Sequence, residues 1–154
     1  MVKKFLISGL LSLALFPSTV LAAQSGDWHV DTVKGFEKYW TKADDGSLFT
    51  IWCHRTRKLS GTVIDVDIRG KAAPARKTMR VIIDRHMQKV TADTAGYVQT
   101  DCAACADGYT VLWQRLRTGH HLSVMFEDES MAKFSLTGAR DVLAESACPA
   151  DFYK

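Results

Sequence analysis

Apolar and polar positions alternate along much of the chain. Between Thr62 and Ile68, the residues Ile64, Val66 and Ile68 fall on one side and Asp65 and Asp67 on the other, the period of two expected of a strand with one wet face. Lys77 to Asp84 repeats it through Met79, Val81 and Ile83, and Leu48 to Cys53 sets Phe49, Ile51 and Cys53 opposite Leu48, Thr50 and Trp52. A turn near Asp84 to His86 leads into Met87 to Ala92 as a hairpin, and Gly70 to Arg76 reads as a Pro-containing loop. The period changes at Asp107. Tyr109, Leu112, Trp113 and Leu116 follow the spacing i, i+3, i+4, i+7 of one helical face, with Asp107 as N-cap, Arg115 and Arg117 in the last turn and Gly119 to end it. Alternation resumes in His121 to Phe126 and Met131 to Leu136, on either side of a polar turn. Ala139, Val142, Leu143 and Ala147 then mark a second short helix, ended by Cys148 and Pro149. The stretch holding Trp28 and Trp40 reads as irregular. The predicted fold class is α+β: an antiparallel β-sheet or small β-sandwich with two short, edge-packed helices, stabilised by disulfides.

The first 23 residues read differently. Lys3 and Lys4 precede the apolar run Phe5 to Phe16, Pro17 and Ser18 break it, and Val20-Leu21-Ala22-Ala23 offers small residues to a peptidase, the layout of a secretory signal peptide. Cleavage before Ala23 or before Gln24 fits. The run is too short to span a bilayer, and no later stretch is apolar enough to do so. The expectation is a signal peptide over 1–23 and one β-rich periplasmic or secreted domain over 24–154, with no stable membrane insertion after cleavage.

Charge narrows the partners. The chain has 20 Lys and Arg against 17 Asp and Glu, and removing Lys3 and Lys4 leaves a net charge of about +1. A nearly neutral domain has no global field to draw nucleic acid. Export also changes the reading of the four cysteines, since an even number in an oxidising compartment favours two disulfides. The preferred pairing is Cys102–Cys105 as a local clip and Cys53–Cys148 as a long staple; Cys53 with Cys102 or Cys105 is the alternative.

Candidate chemistry is sparse. Cys102-Ala103-Ala104-Cys105 has the spacing of a thiol oxidoreductase site, but such a site begins a helix, and the helical pattern here starts afterwards, near Gly108. A structural disulfide is the reading adopted. His54 beside Cys53 and the His120-His121 pair lack the convergent spacing of a zinc site, and Glu127-Asp128-Glu129 lacks that of a calcium loop. No Gly-x-Ser-x-Gly element is present. The expectation is therefore no catalytic residue, no metal and no cofactor. Trp28, Phe36, Tyr39 and Trp40 in the N-terminal stretch, with Arg55 and Arg57 of the basic run after Cys53, are the candidate partner-binding residues.

The last third, from the helix through Phe134-Ser135-Leu136-Thr137-Gly138-Ala139 and on to Val142-Leu143, resembles the C-terminal signature of the invasion-associated locus B family. Trp52-Cys53 near the end of an early strand fits the same style. The resemblance implies a small exported bacterial β-rich domain with no known reaction, contributing to host association or virulence. It transfers no catalytic residue. The functional expectation is a non-enzymatic binding protein of the envelope with an unidentified protein partner. The rival is a periplasmic inhibitor or immunity protein that neutralises a cell-wall hydrolase or a delivered toxin.

Overall fold

A computed structural model describes residues 27–56 and 59–154. The expected signal peptide and Arg57 lie outside the described residues. The described residues form two antiparallel sheets, two short helices and a closing 3-10 turn at Asp151–Tyr153. The larger sheet runs in the order β1 (Trp28–Val33), β2 (Phe36–Lys42), β3 (Leu48–Cys53), β4 (Val63–Ile68), β5 (Lys71–Ala72), with β8 (Val98–Gln99) also paired to β4. The smaller runs β10 (Met131–Ser135), β9 (His121–Met125), β6 (Thr78–Ile83), β7 (His86–Thr91). This is the α+β, sandwich-like class that the alternation implied.

The N-terminal stretch corrects the sequence reading, because it is a hairpin. β1 pairs β2 with Val33 opposite Phe36, and the connecting Lys34 and Gly35 both take positive φ, 49° and 85°, as a two-residue turn with the twist of its strands requires. Inward residues of the two sheets meet in one core. Phe49 lies 6.1 Å from both Trp28 and Phe134, ring centre to ring centre, so β1, β3 and β10 share an aromatic contact.

Helix α1 (Ala103–Thr118) supplies the other wall. Its buried face is Ala106, Tyr109, Leu112, Trp113 and Leu116, and Leu112 and Leu116 each contribute roughly 1.5–3 kcal/mol by leaving water. Trp113 packs edge-on against Tyr39 of β2 at 5.2 Å. The helix ends where Gly119 meets Ile83 and Leu136; a Cβ there would sit 2.5 Å from Ile83 Cγ2. α1 thus touches both sheets. The second helix, α2 (Ala139–Val142), is a single turn and does not reach Ala147 as the apolar spacing predicted. Its continuation is diverted because Trp113 Nε1, Gln114 Nε2 and Arg117 Nε donate to the carbonyls of Ala144, Glu145 and Leu143. Cys53 at the end of β3 is bonded to Cys148 beyond α2, and both are buried.

Candidate functional site

The inner face of the larger sheet is apolar, and its outer face carries rings and charges. On β2 the outward residues are Phe36, Lys38 and Trp40, all half-buried; Trp52 of β3 and Asp65 of β4 continue the face. Strand register sets Lys38 opposite Trp52 and His29 opposite Trp40. The Lys38 ammonium lies 5.2 Å from the Trp40 ring centre and 5.5 Å from that of Trp52, a cation between two aromatic faces. Trp40 Nε1 donates to Asp31 at 2.6 Å, and the His29 ring lies 4.7 Å away. Burial holds the Asp65 carboxyl above the usual range; the Trp52 indole N–H opposes this and repulsion from Asp67 adds to it.

At the turn end this face opens into a cleft of about 700 Å³. Phe36 and Trp52, in an edge-to-face contact at 6.4 Å, form part of its lining. Val33 and Tyr97, each 37% exposed, add apolar surface, and Lys34 and Asp101 supply one charge of each sign. Phe36 is held from two sides. His54 packs edge-on at 4.8 Å, and Gly61, at φ +121°, comes so close that a Cβ would lie 2.7 Å from a Phe36 ring carbon. Gly61 is itself fixed by Asp151, whose carboxylate accepts the N–H groups of Gly61 and Thr62 at 2.6 and 3.1 Å and the Lys154 ammonium at 2.6 Å. Burial tends to raise the Asp151 carboxyl, but these hydrogen bonds outweigh it and leave it below its ordinary value. The cleft wall is therefore set by packing and hydrogen bonds before any ligand arrives, which lowers the entropy cost of binding.

The sequence-derived partner residues separate on inspection. Trp28 and Tyr39 are 4% exposed and belong to the core, which removes them from any contact surface. They occupy inward positions of β1 and β2, and Trp28 Nε1 donates to the Ser135 carbonyl. Phe36 and Trp40 are on the outer face as described. Arg55 is exposed, yet its guanidinium is engaged with Glu37 at 2.7 Å and the Tyr39 hydroxyl at 2.9 Å. Burial raises the Tyr39 phenol above its ordinary value, the Glu37 contact adds to this and Arg55 opposes it. Trp52, Tyr97, Val33 and Lys34 were not singled out from sequence. Alternation in β3 already placed Trp52 opposite the Phe49 face, so that signal existed; Tyr97 sits in a turn and carried none.

The cysteines pair as the sequence reading preferred, but the place of residues 102 and 105 in the helix differs from it. α1 begins at Ala103, not near Gly108, and its N-cap is Cys102, not Asp107. Asp107 lies inside the helix and accepts the Tyr153 hydroxyl. Cys102–Cys105 is a disulfide, as is Cys53–Cys148. Among the described residues, no group of three or more His, Cys, Asp or Glu is placed to hold a metal, and no helix is long and apolar enough to cross a membrane. No curated protein and no solved structure matches this chain. A family model named YfjT does match, over residues 26–143, from just ahead of β1 to the residue after α2, and the chain belongs to the YfjT family.

Proposed function

We propose that this protein is an exported binding domain of the bacterial envelope that takes a polypeptide partner at the Phe36–Trp52–Tyr97 cleft. Its work at the cleft is recognition without turnover. One observation carries the reading: exposed apolar surface from Val33 and Tyr97 adjoins the rings of Phe36 and Trp52 in an open recess of about 700 Å³. Pre-set aromatic pockets of this kind are where interface energy concentrates. A polypeptide suits the lining, because an apolar side chain fills the recess while flanking polar groups meet Lys34 and Asp101. The basic, then apolar, then small-residue pattern of residues 1–23 supports export, and two disulfides suit an oxidising compartment. The likeness of the C-terminal third to the invasion-associated locus B family supports a role in host association.

The test is photo-crosslinking from position 97. A photoreactive phenylalanine analogue replaces Tyr97 in the full chain, in living cells. The expected result is one discrete protein adduct, lost when Trp52→Ala is added and absent when the probe is moved to the exposed Val111 on α1. Equal adducts from positions 97 and 111, or an adduct insensitive to Trp52→Ala, would refute the cleft. A peptidoglycan-cleaving enzyme as the adduct would turn the reading toward the inhibitor role.

A further inference from the structure

The cleft does not account for the Cys102–Cys105 disulfide. Its partner bridge, Cys53–Cys148, is buried, with exposures of 0% and 1%, and encloses a long stretch of chain. Cys102 is exposed and Cys105 half-buried, and only three positions separate them. Closing so short a loop constrains the unfolded chain little, so this bridge can open with the fold intact.

Its placement suits exchange chemistry. Cys102 caps the 16-residue helix α1, and the Cys105 backbone N–H donates to Cys102 Sγ at 3.0 Å. When the bridge opens, that N–H and the positive end of the helix favour a thiolate at Cys102. No acidic residue lies in the first helical turn; the Asp101 carboxylate next door opposes the effect from an exposed position, where water and salt screen it. The approach to the helix start is fixed from the other side. Thr100 donates through its hydroxyl to the Thr62 carbonyl at 2.7 Å, and its own backbone carbonyl accepts the Phe152 N–H at 3.0 Å.

Beside Cys105, one S–S bond from the exposed Cys102 Sγ, lies a groove of about 340 Å³ bounded by Ala104, Cys105 and Gly108 of α1, by β7 and by β8. Among the described residues, β7 is the last strand of its sheet and β8 pairs only with β4. Two strand edges therefore border the groove, and a strand edge is the surface to which an extended polypeptide adds.

We infer that Cys102–Cys105 is a thiol–disulfide exchange site that oxidises a dithiol in an extended polypeptide lying in this groove. A substrate thiolate attacks the exposed Cys102 Sγ, the Cys102–Cys105 bond breaks, and Cys105 leaves as a thiolate that takes a proton from solvent. The second substrate thiolate then attacks its own mixed-disulfide sulfur and releases Cys102. Two electrons pass to the protein, one disulfide forms in the substrate, and each chain transfers one equivalent. The activity is independent of the cleft reading.

The experiment uses the oxidised full chain with reduced, unfolded ribonuclease A as the polypeptide dithiol and, separately, with reduced glutathione. Thiols are counted by alkylation and mass spectrometry. The expected result is one disulfide delivered per chain at a rate roughly 100-fold above that of glutathione disulfide, with Cys53–Cys148 intact. A Cys102→Ser/Cys105→Ser double variant should deliver none while keeping the wild-type circular dichroism spectrum. Once reduced, Cys102 should react with iodoacetamide at neutral pH about 10-fold faster than Cys105. Transfer no faster than glutathione disulfide, or opening of both bridges together, would overturn the inference. Reduction by glutathione alone, with no transfer to ribonuclease A, would overturn the polypeptide assignment.

Discussion

Removing each disulfide in turn separates the staple from the clip. Cys53 and Cys148 are 95 positions apart and Cys102 and Cys105 are 3 apart. On the chain-entropy relation the long loop stabilises the folded state by about 4.7 kcal/mol and the short one by about 2 kcal/mol or less. Burial widens the gap, because Cys53 and Cys148 lie in the core and their truncation also leaves space. A domain of this size is stable by only about 5–15 kcal/mol in all, so the first loss is a large share of the total. With an m-value of about 2 kcal/mol per molar, the urea midpoint of Cys53→Ala/Cys148→Ala should fall by about 2.3 M. That of Cys102→Ala/Cys105→Ala should fall by about 1 M or less. Equilibrium urea unfolding followed by Trp fluorescence reads both. Equal shifts, or a larger shift for the exposed pair, would refute the assignment of the staple as the main covalent support.

Other substitutions probe the packing and the cleft wall. The Tyr109 hydroxyl is buried with no hydrogen-bond partner among the described residues, and burial pushes its phenol far above the ordinary value. Tyr109→Phe should therefore be neutral or stabilise by up to about 1 kcal/mol; a comparable loss in thermal unfolding would show a partner for the hydroxyl. Gly119→Ala places a methyl against Ile83, Leu136 and the Arg115 carbonyl and should cost about 1–3 kcal/mol, read as a lowered midpoint. The Asp151 carboxyl is depressed in the folded state, so its contribution is present at neutral pH and is lost as pH falls through the folded value. Asp151→Asn should be less stable than wild type at pH 7, with the gap closing below about pH 4; a gap that stays constant with pH would contradict this.

The elements legible in the sequence are those with one wet and one dry face. β4 shows it most clearly, with Ile64, Val66 and Ile68 against Asp65 and Asp67, and the Tyr109–Leu116 stripe of α1 is as clear. Legibility failed where that contrast is missing. In the β1–β2 hairpin, inward Trp28 and Tyr39 and outward Phe36 and Trp40 are all aromatic, so the face that holds the candidate site also masks the period. The first turn of α1 was invisible for a different reason. Ala103 and Ala104 are small and exposed, and a sulfur atom takes the capping role usually given to an oxygen. α2 ended early because the side chains of α1 claim the carbonyls that follow it, a tertiary contact that no local pattern encodes. Tyr97 reaches the cleft from a turn held by the Asp93 carboxylate, which accepts the Ala95 and Tyr97 N–H groups, and Asp101 follows Thr100, whose hydroxyl is tied to the Thr62 carbonyl; both placements lie beyond the reach of periodicity.

The claim that the cleft is the recognition surface is tested most directly by backbone amide shift mapping of the purified, oxidised domain. The titrant is the protein recovered from the position-97 cross-link. The account expects the perturbed amides to cluster at residues 33–36, 52, 59–63 and 97–101. Shifts centred instead on β9 and β10, with those residues unmoved, would contradict it.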